Sequence, residues 1–177
     1  FIDGTGNAFI SPAGVTDSIS DNCGILDTLV SPSLLTCNDT GFVVIDVTAR
    51  DVHGNATTAQ STVYIKDTLS PELYLTPKTL YLDGNGQASL NPPAIITNAS
   101  DNCGVADTTI SQAHFSCSDT GMVRIHITVT DHAGNTTTKH TDVAVKDTIN
   151  PSLAVQNTHL YLDYDGQAIL EPHEVVQ

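Results

Sequence analysis

Val123, Ile125, Ile127 and Val129 alternate with Arg124, His126, Thr128 and Thr130, the period-two signature of a strand that buries one face. Val43, Ile45, Val47 and Ala49 repeat the pattern 80 positions earlier. A second β-rich run, Thr136 to Lys146, follows Asp131-His132-Ala133-Gly134-Asn135, so the two runs are predicted to form a hairpin closed by a glycine-containing loop. Shorter runs at Leu73–Leu75, Leu80–Leu82, Gln87–Leu90 and Thr108–Phe115 supply further strands. No helical period interrupts them. About seven short strands per repeat predict an all-β fold of tandem immunoglobulin-like β-sandwich domains, with a strand order the pattern does not specify.

The same offset of 80 residues holds along the chain without a gap. Asp21-Asn22-Cys23-Gly24 returns as Asp101-Asn102-Cys103-Gly104, Cys37-Asn38-Asp39-Thr40-Gly41 as Cys117-Ser118-Asp119-Thr120-Gly121, and Lys66-Asp67-Thr68 as Lys146-Asp147-Thr148. A third start, Tyr161-Leu162-Asp163-Tyr164-Asp165-Gly166, echoes Tyr81-Leu82-Asp83-Gly84-Asn85-Gly86 and Phe1-Ile2-Asp3-Gly4-Thr5-Gly6. A period this long fits a small self-contained domain better than a solenoid unit. The division falls at Lys66-Asp67-Thr68-Leu69-Ser70-Pro71, where proline cannot continue a central strand. Residues 1–66 then form a repeat lacking its first strand, 67–146 a complete repeat, and 147–177 the start of a third. Because the chain opens inside the recurring pattern, it reads as a piece of a longer polypeptide. Its first residues carry no basic stretch leading into an apolar run, and no 18-residue apolar run occurs.

Composition changes this picture in one respect. Of the 177 residues, 20 are acidic and 6 basic, giving a formal charge of −14. Phosphate backbones and anionic lipid would add repulsion, so nucleic acid and direct membrane insertion are not expected as partners. The acids divide into 17 Asp and 3 Glu, and Thr occurs 24 times, a usage that favours turns and strands.

Four cysteines fall in two pairs of equal spacing. The economical pairing is Cys23–Cys37 and Cys103–Cys117, one bridge inside each repeat, since both sandwiches must share one geometry. Each would stabilise its domain by about 3 kcal/mol and implies an oxidising, extracellular setting. A zinc or redox reading is weaker, because no Cys-x-x-Cys occurs and no His recurs beside the cysteines.

The recurring acids sit at predicted turns and strand boundaries. The metal-ligand candidates are Asp67, Asp83, Asn85, Asp101, Asp119, Asp131, Asp147, Asp163 and Asp165. Alternating oxygen ligands in Asp83-Gly84-Asn85-Gly86 and Asp163-Tyr164-Asp165-Gly166 resemble half of a calcium loop, though the twelve-residue spacing of a full one is missing. Calcium needs six to eight oxygens, and several turns meeting at one pole of a sandwich could supply them. The expected place is the junction between repeats, beside Asp67 or Asp147, where a bound cation would stiffen the linker. The competing reading needs no metal: Asp and Asn in such turns satisfy backbone amides by themselves, and for Asp51 and Asp131 this turn role is the stronger one.

No catalytic residue is singled out, and the chain is not expected to be an enzyme. His53, His114 and His126 face Ala133, Leu34 and Asp46 in the other repeat, and there is no nucleophile elbow or phosphate loop. Asn38, Asn55, Asn98 and Asn135 lie in N-glycosylation triplets, which so Thr-rich a chain produces by chance.

Ser100-Asp101-Asn102-Cys103-Gly104, Phe115-Ser116-Cys117-Ser118-Asp119-Thr120-Gly121 and Val129-Thr130-Asp131-His132-Ala133-Gly134-Asn135 resemble the hyalin-repeat-like, immunoglobulin-like modules of giant bacterial surface proteins. The gliding-motility adhesins exported by type 9 secretion are the group most similar. Asp-Thr pairs at Thr28, Thr68, Thr108 and Thr148 resemble the O-glycosylation acceptor of such bacteria, against a plain reading as strand-edge threonines. The resemblance implies an extracellular, repetitive, calcium-stabilised stalk at the cell surface. Thr5 stands where Asn85 and Asp165 stand in the other repeats, so an equivalent metal loop in the first repeat is in doubt.

The leading expectation is therefore a stalk segment of a secreted or cell-surface adhesin or fibre that holds a distal adhesive region outward. Its partners would be neighbouring repeats of the same chain, surface glycans or other fibre subunits. The rival is a carbohydrate-binding or accessory module of a secreted enzyme. That role needs an exposed aromatic platform, whereas Phe42, Tyr64, Tyr74, Tyr81 and Phe115 read as core or strand residues. Donation of a strand by another chain's C-terminus to the first repeat is disfavoured, because residues 161–177 duplicate 1–17.

Overall fold

The alternating runs become thirteen strands in the structure, a computed structural model that describes residues 1–155, 157 and 159–168. In the first repeat these are β1 (Asn7–Phe9), β2 (Ile25–Ser31), β3 (Leu34–Thr36), β4 (Gly41–Asp51) and β5 (Ala56–Ile65). The second repeat has β6 (Glu72–Leu75), β7 (Lys78–Tyr81), β8 (Gln87–Ser89), β9 (Ile96–Ser100), β10 (Val105–Ile110), β11 (His114–Ser116), β12 (Gly121–Asp131) and β13 (Thr136–Lys146). The fold is all-β, two immunoglobulin-like sandwiches in tandem.

In the second repeat one sheet runs β10-β12-β13-β7, with β7 parallel to the end of β13 and the other neighbours antiparallel. The pairs β6-β9 and β8-β11 face it. Period two dictates which residues meet between the layers: Ile125, Ile127 and Val129 of β12 and Val143 and Val145 of β13 are buried, together with Leu73, Leu90, Ile95 and Phe115 from the opposite side. Each such side chain contributes about 1.5–3 kcal/mol of burial.

The first repeat keeps the β2-β4-β5 sheet and the β1-β3 pair, with Ile2, Ala8, Leu35 and Ile65 buried between them. Among the described residues it has no counterpart of β6 or β7. The place β6 takes in the second repeat is here a groove of about 560 Å³ lined by Val15, Thr16, Val47, Ala49, Thr57 and Ala59. Residues 16–20, the counterpart of β9, form no strand.

Of the aromatic residues expected in core or strand, Phe42, Tyr64, Tyr74 and Tyr81 are strand residues on exposed faces, and only Phe115 is buried. Period two explains the division: Phe42 and Tyr64 face each other across β4 and β5 on the side away from Val43 and Val63.

Candidate metal and sulfur junction between the repeats

Asp51-x-x-Gly54-Asn55 and Asp131-x-x-Gly134-Asn135 close the long hairpins in one way. The Asp131 carboxylate accepts hydrogen bonds from the Asn135 backbone N–H at 2.8 Å and from Asn135 Nδ2 at 2.7 Å. Asp51 accepts the corresponding bonds from Asn55, at 2.8 and 2.6 Å, and a third from the His53 amide. The Asn55 side chain, with those amides, holds the Asp51 carboxyl below its ordinary range. The turn role is thus real in both repeats.

Asp131 has a second set of neighbours. Its carboxylate, that of Asp101 and that of Asp67 each bring one oxygen within 4.8 Å of the others. Asp67 is completely buried, Asp131 nearly so, and Asp101 half-buried. Three unlike elements converge: the linker after β5, the Asp101-Asn102-Cys103-Gly104 loop and the β12–β13 turn. Asp67 Oδ1 accepts from the Leu69 amide at 3.1 Å and from Asn102 Nδ2 at 3.3 Å, while Asn135 Nδ2 reaches the Asp67 carbonyl at 3.3 Å. Asp67 Oδ2 and Asn102 Oδ1 are buried without a hydrogen-bond partner among the described residues.

Charge makes this arrangement costly. Like charges at such separations repel, the more so where burial lowers the local dielectric. Among the described residues the ion pairs are Arg50–Asp27 at 2.6 Å and Arg124–Asp142 at 3.3 Å, and neither touches the cluster. The three carboxylates bring together hard oxygen donors of the kind calcium takes.

The sulfur chemistry lies at the same junction. Cys37 is bonded to Cys103, with Cα atoms 5.4 Å apart, and Cys23 and Cys117 are free and exposed. The expected bridges Cys23–Cys37 and Cys103–Cys117 do not form. The reason is the length of β4: its eleven residues span about 33 Å. Cys23 lies at one end, where Val52 N donates to Gly24 O, and Cys37 at the other, against Gly6. Cysteines at opposite poles of one sandwich cannot meet, but the lower pole of one repeat meets the upper pole of the next.

Hydrogen bonds reinforce this contact. Asn102 Nδ2 donates to the Asp3 carbonyl at 3.0 Å, and Cys37 Sγ lies 3.5 Å from the Asn102 carbonyl. Gly6, at φ +80°, permits the approach: a Cβ there would stand 2.9 Å from that carbonyl and 3.2 Å from Cys37 Sγ. A cavity of about 540 Å³ opens beside the bridge, lined in part by Tyr64, Lys66, Asp67 and His132.

The remaining metal candidates are placed elsewhere. Asp83 accepts from the Asn85 and Gln87 amides and Asp163 from those of Asp165 and Gln167, so both loops are turns closed by their own carboxylates, and all four candidate residues are exposed. Asp119 caps the single 3-10 turn at Cys117–Asp119 by accepting from the Ser116 amide and hydroxyl, which, with Gln112, hold its carboxyl below the ordinary range. Asp147, the counterpart of Asp67, is exposed and accepts from the Ile149 amide. Thr68 and Thr148 stand exposed in the connectors, whereas Thr28 and Thr108 are half-buried within β2 and β10. Asn102, the residue that ties the cluster to the sulfur bridge, was not among the candidates. Its only sequence signal is recurrence inside Asp-Asn-Cys-Gly.

No protein-family model and no curated protein matches this chain. Among solved structures it is similar to the fibronectin(III)-like modules of Clostridium thermocellum CbhA, with 15% identity and a TM-score of 0.33, over 73% of this chain and 83% of that one. By its own strand pairings the chain is a tandem of β-sandwiches.

Proposed function

We propose that the chain is a stalk segment of a repetitive secreted or cell-surface adhesin or fibre, whose sandwiches follow one another end to end and hold a distal adhesive region outward. The observation that carries this reading is the junction itself. The Cys37–Cys103 bridge, the Asn102-to-Asp3 hydrogen bond and the buried Asp67 fix one repeat against the next, where a flexible linker would leave them independent. The disulfide favours an oxidising, extracellular compartment.

Calcium belongs to the same proposal. The orphaned, buried Asp67 Oδ2 fits a hard cation, and Asp67, Asp101 and Asp131 would hold it. Bound there, its two positive charges would offset most of the charge of three carboxylates that otherwise repel. The chain's own part is to present those oxygens from both sides of the boundary, so that ion binding and alignment of the repeats become one event.

Small-angle scattering tests the proposal. In oxidising buffer with calcium, the particle should be elongated, with a maximum dimension about twice that of one sandwich. Reductant with chelator should broaden its distance distribution. A single compact globule under the first condition would contradict the reading.

A carbohydrate-binding role has one observation in its favour, the exposed Phe42–Tyr64 pair with ring centroids 4.9 Å apart. Glycan-array binding that Phe42→Ala abolishes would support it.

A further inference from the structure

The two exposed cysteines are the repeat counterparts of the two bonded ones: Cys117 stands 80 positions after Cys37, and Cys23 stands 80 before Cys103. Their surroundings are prepared in the same way. Asp21 Oδ1 accepts from the Cys23 amide at 2.8 Å, just as Asp101 Oδ1 accepts from the Cys103 amide at 2.8 Å, so both Asp-Asn-Cys-Gly loops present their sulfur from the same turn. On the receiving side, Cys117 Sγ lies 3.8 Å from the Gly86 carbonyl, as Cys37 Sγ lies 3.6 Å from that of Gly6. Gly86, at φ +72°, leaves room that a side chain would fill: a Cβ would stand 2.6 Å from Cys117 Sγ.

We infer that Cys117 is the receiving half, and Cys23 the inserting half, of further staples of the Cys37–Cys103 kind. The partner of Cys117 is the Asp-Asn-Cys-Gly loop of another such repeat, which in a solution of this chain is residues 21–24 of a second molecule. The inference rests on the end-to-end reading above. In the step, two thiols lose their protons and a pair of electrons and become one S–S bond, while a small disulfide such as oxidised glutathione takes up both and becomes two thiols. The acids follow the sulfur. Asp147, Asp21 and Asp51 are the counterparts of Asp67, Asp101 and Asp131, and each staple would gather them into a second oxygen cluster.

Two single variants test this, Cys23→Ser and Cys117→Ser, each with Cys37 and Cys103 intact. In a glutathione redox buffer, the equimolar mixture should give a covalent dimer whose peptide map joins Cys117 of one molecule to Cys23 of the other, and either variant alone should remain monomeric. Adding Gly86→Val to the Cys23→Ser variant should reduce the mixed dimer at least tenfold. The inference is overturned if each variant alone dimerises as readily as the mixture, or if the mixture stays monomeric while Cys37–Cys103 is intact. Scattering on the same samples separates this from the stalk reading: a compact monomer would overturn that reading, whereas an elongated one with Cys117 still reduced overturns the staple alone.

Discussion

Cys37 and Cys103 are 66 residues apart in sequence and bonded in space, so the only disulfide among the described residues joins the two sandwiches. Closing so long a loop constrains the unfolded chain by about 4 kcal/mol in the entropic model, more than a within-repeat bridge would. The prediction is that Cys37→Ser lowers the melting temperature of the first repeat by on the order of 10 °C in calorimetry. An unchanged thermogram would contradict it.

The acid cluster makes a prediction with two signs. Without calcium, Asp101→Asn should raise stability, because one carboxylate leaves the repelling set while its Oδ1 can still accept from the Cys103 amide. With calcium at about 100 times its dissociation constant, the native chain should gain about 2.7 kcal/mol, and the variant much less. Thermal melts with calcium and with chelator read both effects. A variant that is destabilised in chelator and still responds to calcium would remove the cation from the account.

Asn135 and Asn55 close equivalent turns but differ in reach. Asn135 Nδ2 bonds Asp131 and also the Asp67 carbonyl, whereas Asn55 Nδ2 bonds Asp51. Asn135→Ala should therefore cost about 1 kcal/mol more than Asn55→Ala in urea unfolding, the difference being a hydrogen bond across the boundary. Equal costs would mean that bond contributes nothing.

Acid should weaken both repeats through named groups. The Ser116 amide, the Ser116 hydroxyl and Gln112 hold the Asp119 carboxyl below its ordinary value of 3.8, and the Thr5 hydroxyl and the Asn7 and Thr5 amides do the same for Asp3. A carboxyl with a lowered folded pKa stabilises fully above its unfolded value, and that contribution disappears as pH falls through the folded one. The stability difference between the native chain and Asp119→Asn should shrink as pH falls below 3.8. A gap constant from about pH 7 to about pH 2 would contradict this.

Strand positions were legible because period two is a local property: β12 and β13 lie where Val123 to Val129 and Thr136 to Lys146 placed them. The sulfur pairing was not, because spacing within a repeat says nothing about which pole each cysteine occupies. That depends on the direction and length of β4, and so on a strand order the alternation leaves unspecified. The coming together of Asp67, Asp101 and Asp131 was legible only as a tendency of acids to gather at the boundary. Asn102 was missed because an amide in a turn reads as a turn former, and only a tertiary contact with Asp3 and Asp67 sets it apart from Asn22.

The account stands on the bridge between repeats, and peptide mapping of the non-reduced chain tests it most directly. The Cys37 peptide should be recovered joined to the Cys103 peptide, from monomeric protein and in near-full yield. Recovery of Cys23 joined to Cys37, and of Cys103 joined to Cys117, would contradict it.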